Sequence, residues 1–187
     1  MSLPALILAA GASRRLGRPK QLEPVDGEAL LRRTARVALE AGCAPVFVVL
    51  GAARERIAPC LEDLPVEVLV NEAWETGQAS SLRTGLAALP PQAEGVLLLV
   101  CDQVALEAAP LRRLMAAWRA APECPAACLY GSVTGVPALF PAHRFPDLAA
   151  LEGDAGARAL LRAGAVTRVA WPEGARDLDL PGDAGGR

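Results

Sequence analysis

Leu6-Ile7-Leu8-Ala9-Ala10-Gly11-Ala12-Ser13-Arg14-Arg15-Leu16-Gly17-Arg18-Pro19-Lys20 opens as an apolar run and closes as a basic, glycine-containing loop. Leu6-Ile7-Leu8 reads as a first strand, and the chain from Ala10 to Lys20 as the loop leaving its carboxyl end. Small residues there let a ligand come close to the backbone, whose N–H groups can face phosphate oxygens. Arg14, Arg15, Arg18 and Lys20 add positive charge: arginine forks match phosphate oxygens, and lysine acts as a compact point charge. No Gly-Lys-Ser/Thr closes the loop, so it is not a Walker A loop. Gly11 and Gly17 miss the G-x-G-x-x-G spacing of a dinucleotide fingerprint. A solvated basic turn between strand and helix is the plain alternative. It weakens because glycine, arginine and lysine are concentrated at the end of the first strand.

Working outward, short apolar runs alternate with helical patterns. Leu30, Thr34, Val37, Ala38 and Ala41 fall near one helical face, with Gly42 as the C-cap. Val46 to Leu50 reads as a second strand, followed by a helix to about Leu61. Val66 to Val70 is a third strand. Leu82, Leu86 and Leu89 form a helical stripe ended by Pro90-Pro91, with Gly85 placed for close packing on the sheet. Val96 to Val100 is the most clearly buried strand. Leu111, Leu114, Met115 and Trp118 mark another helix. Two strands are expected within Ala126 to Phe140 around a turn at Gly131 to Gly135, then a helix over Ala155 to Ala163 and a strand over Val166 to Ala170. Continuous apolar strands alternating with helices predict an α/β, three-layer fold, its mostly parallel sheet covered by helices on both faces. Ligands of such sheets bind beyond the carboxyl ends of the strands. Those ends carry Ala10-Gly11, Gly51, Asn71 and Asp102.

The 187 residues, 52% hydrophobic, support one domain over 1–187, with about 182–187 as a frayed tail. A net charge of -2 excludes a general nucleic-acid binder, and 4% aromatics excludes a single-strand stacking platform. Five cysteines form no disulfide framework, and Cys124 and Cys128 lack partners for a zinc site; buried thiols in a reducing cytoplasm are the expectation. Met1 to Ala10 has no basic leader and no run is long enough to span a membrane, so a cytoplasmic location is expected. The one histidine, His143, leaves Ser-His-Asp chemistry without support. Asp102 follows the most buried strand and faces the crevice, although it also reads as an N-cap for the helix near Leu106 to Trp118.

The run from Leu8 to Lys20 resembles the signature loop of the MobA-like nucleotidyltransferases. Within them it most resembles that of the molybdenum cofactor cytidylyltransferases, roughly L-A-A-G-x-S-x-R-(M/L)-G-x-P-K. Leu8, Ala9, Ala10, Gly11, Ser13, Arg15, Leu16, Gly17, Pro19 and Lys20 meet that pattern. The guanylyltransferase branch more often carries a second glycine where Ala10 stands and an acidic residue where Pro19 stands. Asn71, Trp74, Gly77, Ser80, Ser81 and Gly85 resemble N-x-x-W-x-x-G-x-x-S-S-x-x-x-G, and Asp102-Gln103 resembles D-Q-P. Gly135-Val136-Pro137 resembles G-H-P, the segment from Leu151 to Arg158 resembles L-x-G-D-x-G-A-R, and Asp177 to Pro181 resembles D-I-D-T-P. Val104, Val136 and Leu180 depart from these patterns. The loss of the histidine at Val136 removes a polar contact to the acceptor.

The resemblance implies a Rossmann-like, nucleotide-diphospho-sugar transferase-like fold. It also implies transfer of CMP from CTP to the phosphate of molybdenum-loaded molybdopterin, with release of pyrophosphate. By the same resemblance, Arg15, Lys20 and Asp102 are catalytic. Leu8, Ala9, Ala10, Gly11, Ser13, Arg14, Arg15, Lys20, Asn71, Gly77, Ser80 and Ser81 bind the nucleotide. Gly135, Pro137, Asp154 and Arg158 meet the acceptor, and Asp102 with Asp179 holds Mg2+. Asp177 is open as an alternative second ligand, and a solvated surface role serves it equally. A transient contact with a molybdenum hydroxylase or its chaperone follows from the family alone. GTP or a sugar phosphate in place of these substrates, or a scaffold that binds nucleotide without chemistry, remain alternatives.

Overall fold

The computed structural model describes residues 3–14 and 16–175. In chain order the strands and helices are β1 (Leu3–Leu8), β2 (Pro24–Val25), β3 (Glu28–Ala29), α1 (Leu30–Glu40), β4 (Cys43–Leu50), α2 (Arg54–Ile57), β5 (Glu67–Val70) and α3 (Gln78–Ala87). They continue as β6 (Gly95–Val100), α4 (Ala108–Ala120), β7 (Ala126–Tyr130), β8 (Val133–Pro141), α5 (Phe145–Ala149), α6 (Arg158–Arg162) and β9 (Thr167–Ala170).

Side-chain alternation builds three layers. Ala5, Ile7, Val46, Val48, Leu97 and Leu99 point to the face covered by α1 and α4, where Leu31, Ala38, Leu114 and Trp118 meet them. Leu6, Phe47, Val49, Val96 and Leu98 point to the other face, under Leu82 of α3, Leu148 of α5 and Leu161 of α6. Both faces of the central strands are dry, which is why they read as unbroken apolar runs. Each large side chain so buried contributes roughly 1.5–3 kcal/mol. Gly42 ends α1 with a φ of 93°, a conformation that favours glycine.

The main sheet runs β5-β4-β1-β6-β8-β7-β9. β1 pairs in parallel with β4 on one flank and β6 on the other, with Leu8 opposite both Val49 and Val100. The chain therefore builds outward on one side of β1 through β4 and β5, then returns to build on the other side from β6. That reversal is a topological switch point, and it opens a crevice beyond the carboxyl ends of β1 and β6. β8 runs antiparallel to β6 and β7, so the sheet is mixed but mostly parallel, as expected. No helix among the described residues is long and apolar enough to cross a membrane.

Some elements differ from expectation. The helix foreseen to Leu61 is one α turn, Arg54–Ile57, followed by a 3-10 turn over Ala58–Leu61, because Pro59 has no N–H for a continuing ladder. The helix foreseen over Ala155 to Ala163 is confined to Arg158–Arg162, because residues 153–157 are held as a loop against the start of α3. The β2–β3 hairpin was not anticipated; Asp26-Gly27, with φ of 53° and 82°, is its tight turn. The short α5 was also missed. The foreseen tail, 182–187, lies outside the described residues.

Gly85 lets α3 pack closely on β1: a Cβ there would fall 2.2 Å from a Leu6 methyl and 2.8 Å from Leu6 Cγ. Gly85→Val is expected to destabilise the protein by about 1–3 kcal/mol, read as a lower urea midpoint. Burial pushes the thiols of Cys43, Cys101 and Cys128 up to about 12. At pH 8, iodoacetamide should label half-buried Cys124 in the native protein, while those three should react only after unfolding; mass spectrometry reads the order.

Candidate active site

The loop after β1 is held in shape from below. Gln21, fully buried, donates from Nε2 to the Ala9 carbonyl at 2.8 Å and to the Gly11 carbonyl at 2.9 Å. Ser13, at φ 50°, accepts the Leu16 and Gly17 N–H groups on its carbonyl and the Lys20 N–H on Oγ at 3.1 Å. With these carbonyls drawn inward, the N–H groups of Gly11, Ala12, Ser13 and Arg14 donate to no described backbone carbonyl. They are the donors an anion would meet. The Arg14 side chain is 79% exposed and lies 3.8 Å from Glu75. Arg15 lies outside the described residues.

Across the crevice, Lys20 Nζ donates to Asp102 Oδ2 at 2.6 Å. About a third of each side chain is exposed, so solvent screens the pair and its contribution to stability is about 1 kcal/mol or less. Its importance is its position, since it joins the loop of β1 to the end of β6 at the switch point. Asp102 is not a helix cap. α4 begins at Ala108, its N-cap position is Glu107, and no side chain caps it. An ammonium already stands against the Asp102 carboxylate, so the position favours a cation. The described residues hold no group of three or more His, Cys, Asp or Glu side chains that could bind a metal alone. A magnesium-type ion, which keeps waters and takes one or two carboxylates plus phosphate oxygens, fits such a sparse donor set. Asp179, the second expected ligand, and its alternative Asp177 lie outside the described residues.

Two cavities lie in this crevice, one beside the loop and one beside Asp102. One, of about 360 Å³, lies under the loop between Gly11, Arg14, Trp74, Gln78, Ser81 and Asp154. The other, of about 210 Å³, is walled by Asp102, Gln103, Tyr130, Gly135, Val136 and Arg158. Gln78, the first residue of α3, borders both. The second side of the crevice is fixed by glycines. A Cβ on Gly77 would fall 2.2 Å from the Gly153 carbonyl carbon, and one on Gly156 would fall 2.3 Å from Gln78 Oε1. The Ala79 N–H donates to the Gly153 carbonyl at 3.0 Å. A larger cavity, about 500 Å³, lies at the opposite edge of the sheet beside Leu3, Pro45 and Trp118, remote from all of these residues.

Of the expected nucleotide residues, the structure brings Gly11, Arg14, Gly77 and Ser81 to the first cavity, and Leu8 to the second. Ala9 and Ala10 are buried behind the loop. Asn71 and Ser80 brace the turn instead: buried Asn71 donates from Nδ2 to Ser80 Oγ at 2.8 Å and Ser81 Oγ at 3.0 Å, and its Oδ1 accepts the Ala73 N–H. The residues expected at the acceptor divide. Arg158 and Gly135 border the Asp102 cavity, Asp154 borders the other, and Pro137 follows Val136 in β8. Gln21, Gln78 and Tyr130 border or support the site without having been expected. Gln21 had one signal, a polar residue next to Lys20 that must be buried if the loop folds back. Tyr130 had none.

A model of the MobA-like NTP transferase domain matches residues 5–169. The nicotine blue oxidoreductase of Paenarthrobacter nicotinovorans is 35% identical over 166 residues, covering 84% of this chain and 80% of that protein. A probable molybdenum cofactor guanylyltransferase of Synechococcus elongatus is 42% identical over 121 residues, covering 64% of this chain and 58% of that protein. The crystal structure of Rv0371c from Mycobacterium tuberculosis in complex with manganese superposes with a TM-score of 0.79 at 31% identity, covering 91% of this chain and 89% of that one. The match spans the sheet, the loop after β1 and the end of β6 alike, and on it this chain is a nucleotidyltransferase belonging to the MobA-like NTP transferase family.

Proposed function

We propose that the protein moves CMP from CTP to the phosphate of molybdenum-loaded molybdopterin. An oxygen of the acceptor phosphate bonds to the α-phosphorus, the bond from that phosphorus to the bridging oxygen breaks, and pyrophosphate leaves with the electron pair. A phosphate monoester is already anionic near neutral pH, so the attack needs no general base, and positioning with charge stabilisation carries the rate. The observation that supports this most is the Lys20–Asp102 pair at 2.6 Å, which sets a phosphate-type cation and a metal-type carboxylate together at the switch point. The loop N–H groups and Arg14 receive the triphosphate in the cavity between Gly11 and Asp154. Lys20 would turn from Asp102 to the phosphates, and Asp102 would hold a magnesium ion, which would supply neutralisation of phosphate charge. The Asp102 cavity, with Arg158 at its rim, takes the acceptor. Ala10 and Pro19, at the two positions where the guanylyl branch differs, support CTP as donor. The molybdenum cofactor is supported by the loop pattern and by the probable guanylyltransferase among the relatives.

Purified protein with magnesium, molybdenum-loaded molybdopterin and CTP should release pyrophosphate. Release with GTP alone would keep the chemistry and reject the base; no release with either, despite nucleotide binding, would sink the reading. Asp102→Asn should lower kcat by about 100-fold or more while the fold, read by circular dichroism, is kept. EDTA should abolish turnover, and added Mg2+ or Mn2+ should restore it.

A further inference from the structure

The ladder between β7 and β8 slips at one place: Ala127 pairs with Ala138, but Cys128 pairs with Gly135, so Val136 and Pro137 bulge out of the pairing. Pro137 has no N–H to offer, and the ladder from β8 to β6 stops at Ala138. The Val136 carbonyl is thereby left to side chains. Gln103 donates to it from Nε2 at 2.8 Å and Tyr130 from its hydroxyl at 3.2 Å, filling both lone pairs of one oxygen. Tyr130 is fixed on two further sides. Its hydroxyl lies 2.5 Å from where a Cβ on Gly135 would be, so only glycine fits there. Its ring meets buried Trp171 edge-on, with centroids 6.2 Å apart.

The clamp has a consequence for Gln103. With Nε2 committed, Oε1 must turn away, and it has no partner among the described residues although Gln103 is only 3% exposed. A buried amide oxygen without a donor carries its full desolvation penalty, and such an orphan calls for an outside partner. Gln103 borders the Asp102 cavity, whose floor is the apolar side chains of Leu8, Leu98 and Val100 and whose rim carries the Arg158 cation. At about 210 Å³ this space is smaller than the roughly 300–1,000 Å³ of drug-sized pockets, so it takes one ring system and not a whole nucleotide. An apolar floor, an unsatisfied acceptor and a cation together fit a flat heterocycle with ring N–H donors and an anionic substituent.

We propose that Gln103 sets specificity for the acceptor: its Oε1 receives a hydrogen bond from a ring N–H of a planar heterocycle, and Tyr130, acting through the Val136 carbonyl, is the positioning residue that aims it. The inference rests on the reading of this cavity as the acceptor's. Pterin, flat and with a ring N–H, is the probe, titrated calorimetrically into wild type, Gln103→Leu and Tyr130→Phe, with Mg–CTP titrated in parallel. Gln103→Leu should weaken the pterin about tenfold and leave CTP unchanged, while the melting temperature falls only slightly, because the Val136 carbonyl loses the Gln103 donor but keeps the Tyr130 hydroxyl. Tyr130→Phe should weaken the pterin by a smaller factor, again with CTP untouched. Should Gln103→Leu fail to fold, Gln103→Met, unbranched and of similar length, decides in its place. Equal pterin affinity in wild type and the Gln103 variants, no pterin binding by wild type, or a parallel loss of pterin and CTP binding overturns the proposal. Absence of pyrophosphate release from wild type would count against the cytidylyl transfer alone, because the binding comparison does not depend on turnover.

Discussion

The in-register parallel pairing of β1 between β4 and β6 is the constraint from which the rest of the molecule follows. Leu8 stands opposite Val49 on one side and Val100 on the other, so three strands end on one line. Whatever follows each strand is delivered to the same edge: the glycine loop after β1, Gly51 after β4, Asp102 beyond β6. Hydrogen bonds that satisfy the backbone also bring together residues 82 positions apart, and the Lys20–Asp102 pair is the result. The pair adds little stability. It exists because the sheet holds its two ends in place.

Rigidity around the crevice comes from different chemistry on its two sides. On the β1 side a buried amide, Gln21, ties two of the loop's carbonyls down, while the N–H groups of residues 11–14 donate to no described backbone carbonyl. On the other side missing side chains do the work. Gly77 lets the loop at Gly153 sit directly on the start of α3, and Gly156 leaves room for Gln78. Asn71 and the two serines close the turn between them. The crevice is preorganised, which is what a reaction driven by positioning requires. With a lysine already on Asp102 and no group of three His, Cys, Asp or Glu side chains among the described residues placed to hold a metal, a cation there would need phosphates and water to complete its coordination.

What the sequence by itself determined was local. Unbroken apolar runs located β1, β4 and β6, and a period of 3.6 located α1, α3 and α4, because a strand buried on both faces must be apolar throughout and a helix on a sheet must be apolar along one stripe. The glycine and basic residues of 10–20 marked a candidate anion loop, and Gly85 marked the close contact of α3 with the sheet. The family resemblance, carried by spaced residues along nearly the whole chain, pointed to Asp102 and the loop together. Tertiary structure decided what depends on distant partners. Strand order, the pairing of Lys20 with Asp102, the division of Asp154 and Arg158 between two cavities, and the inward turn of Asn71 and Ser80 have no local cause. Nor has the Val136 carbonyl, freed by a bulge whose length is set by how β7 must align with β8. Periodicity reports which face of an element is buried. Which polar groups meet across the crevice is fixed only when the sheet closes and every buried donor and acceptor must find what the neighbouring strands bring within reach.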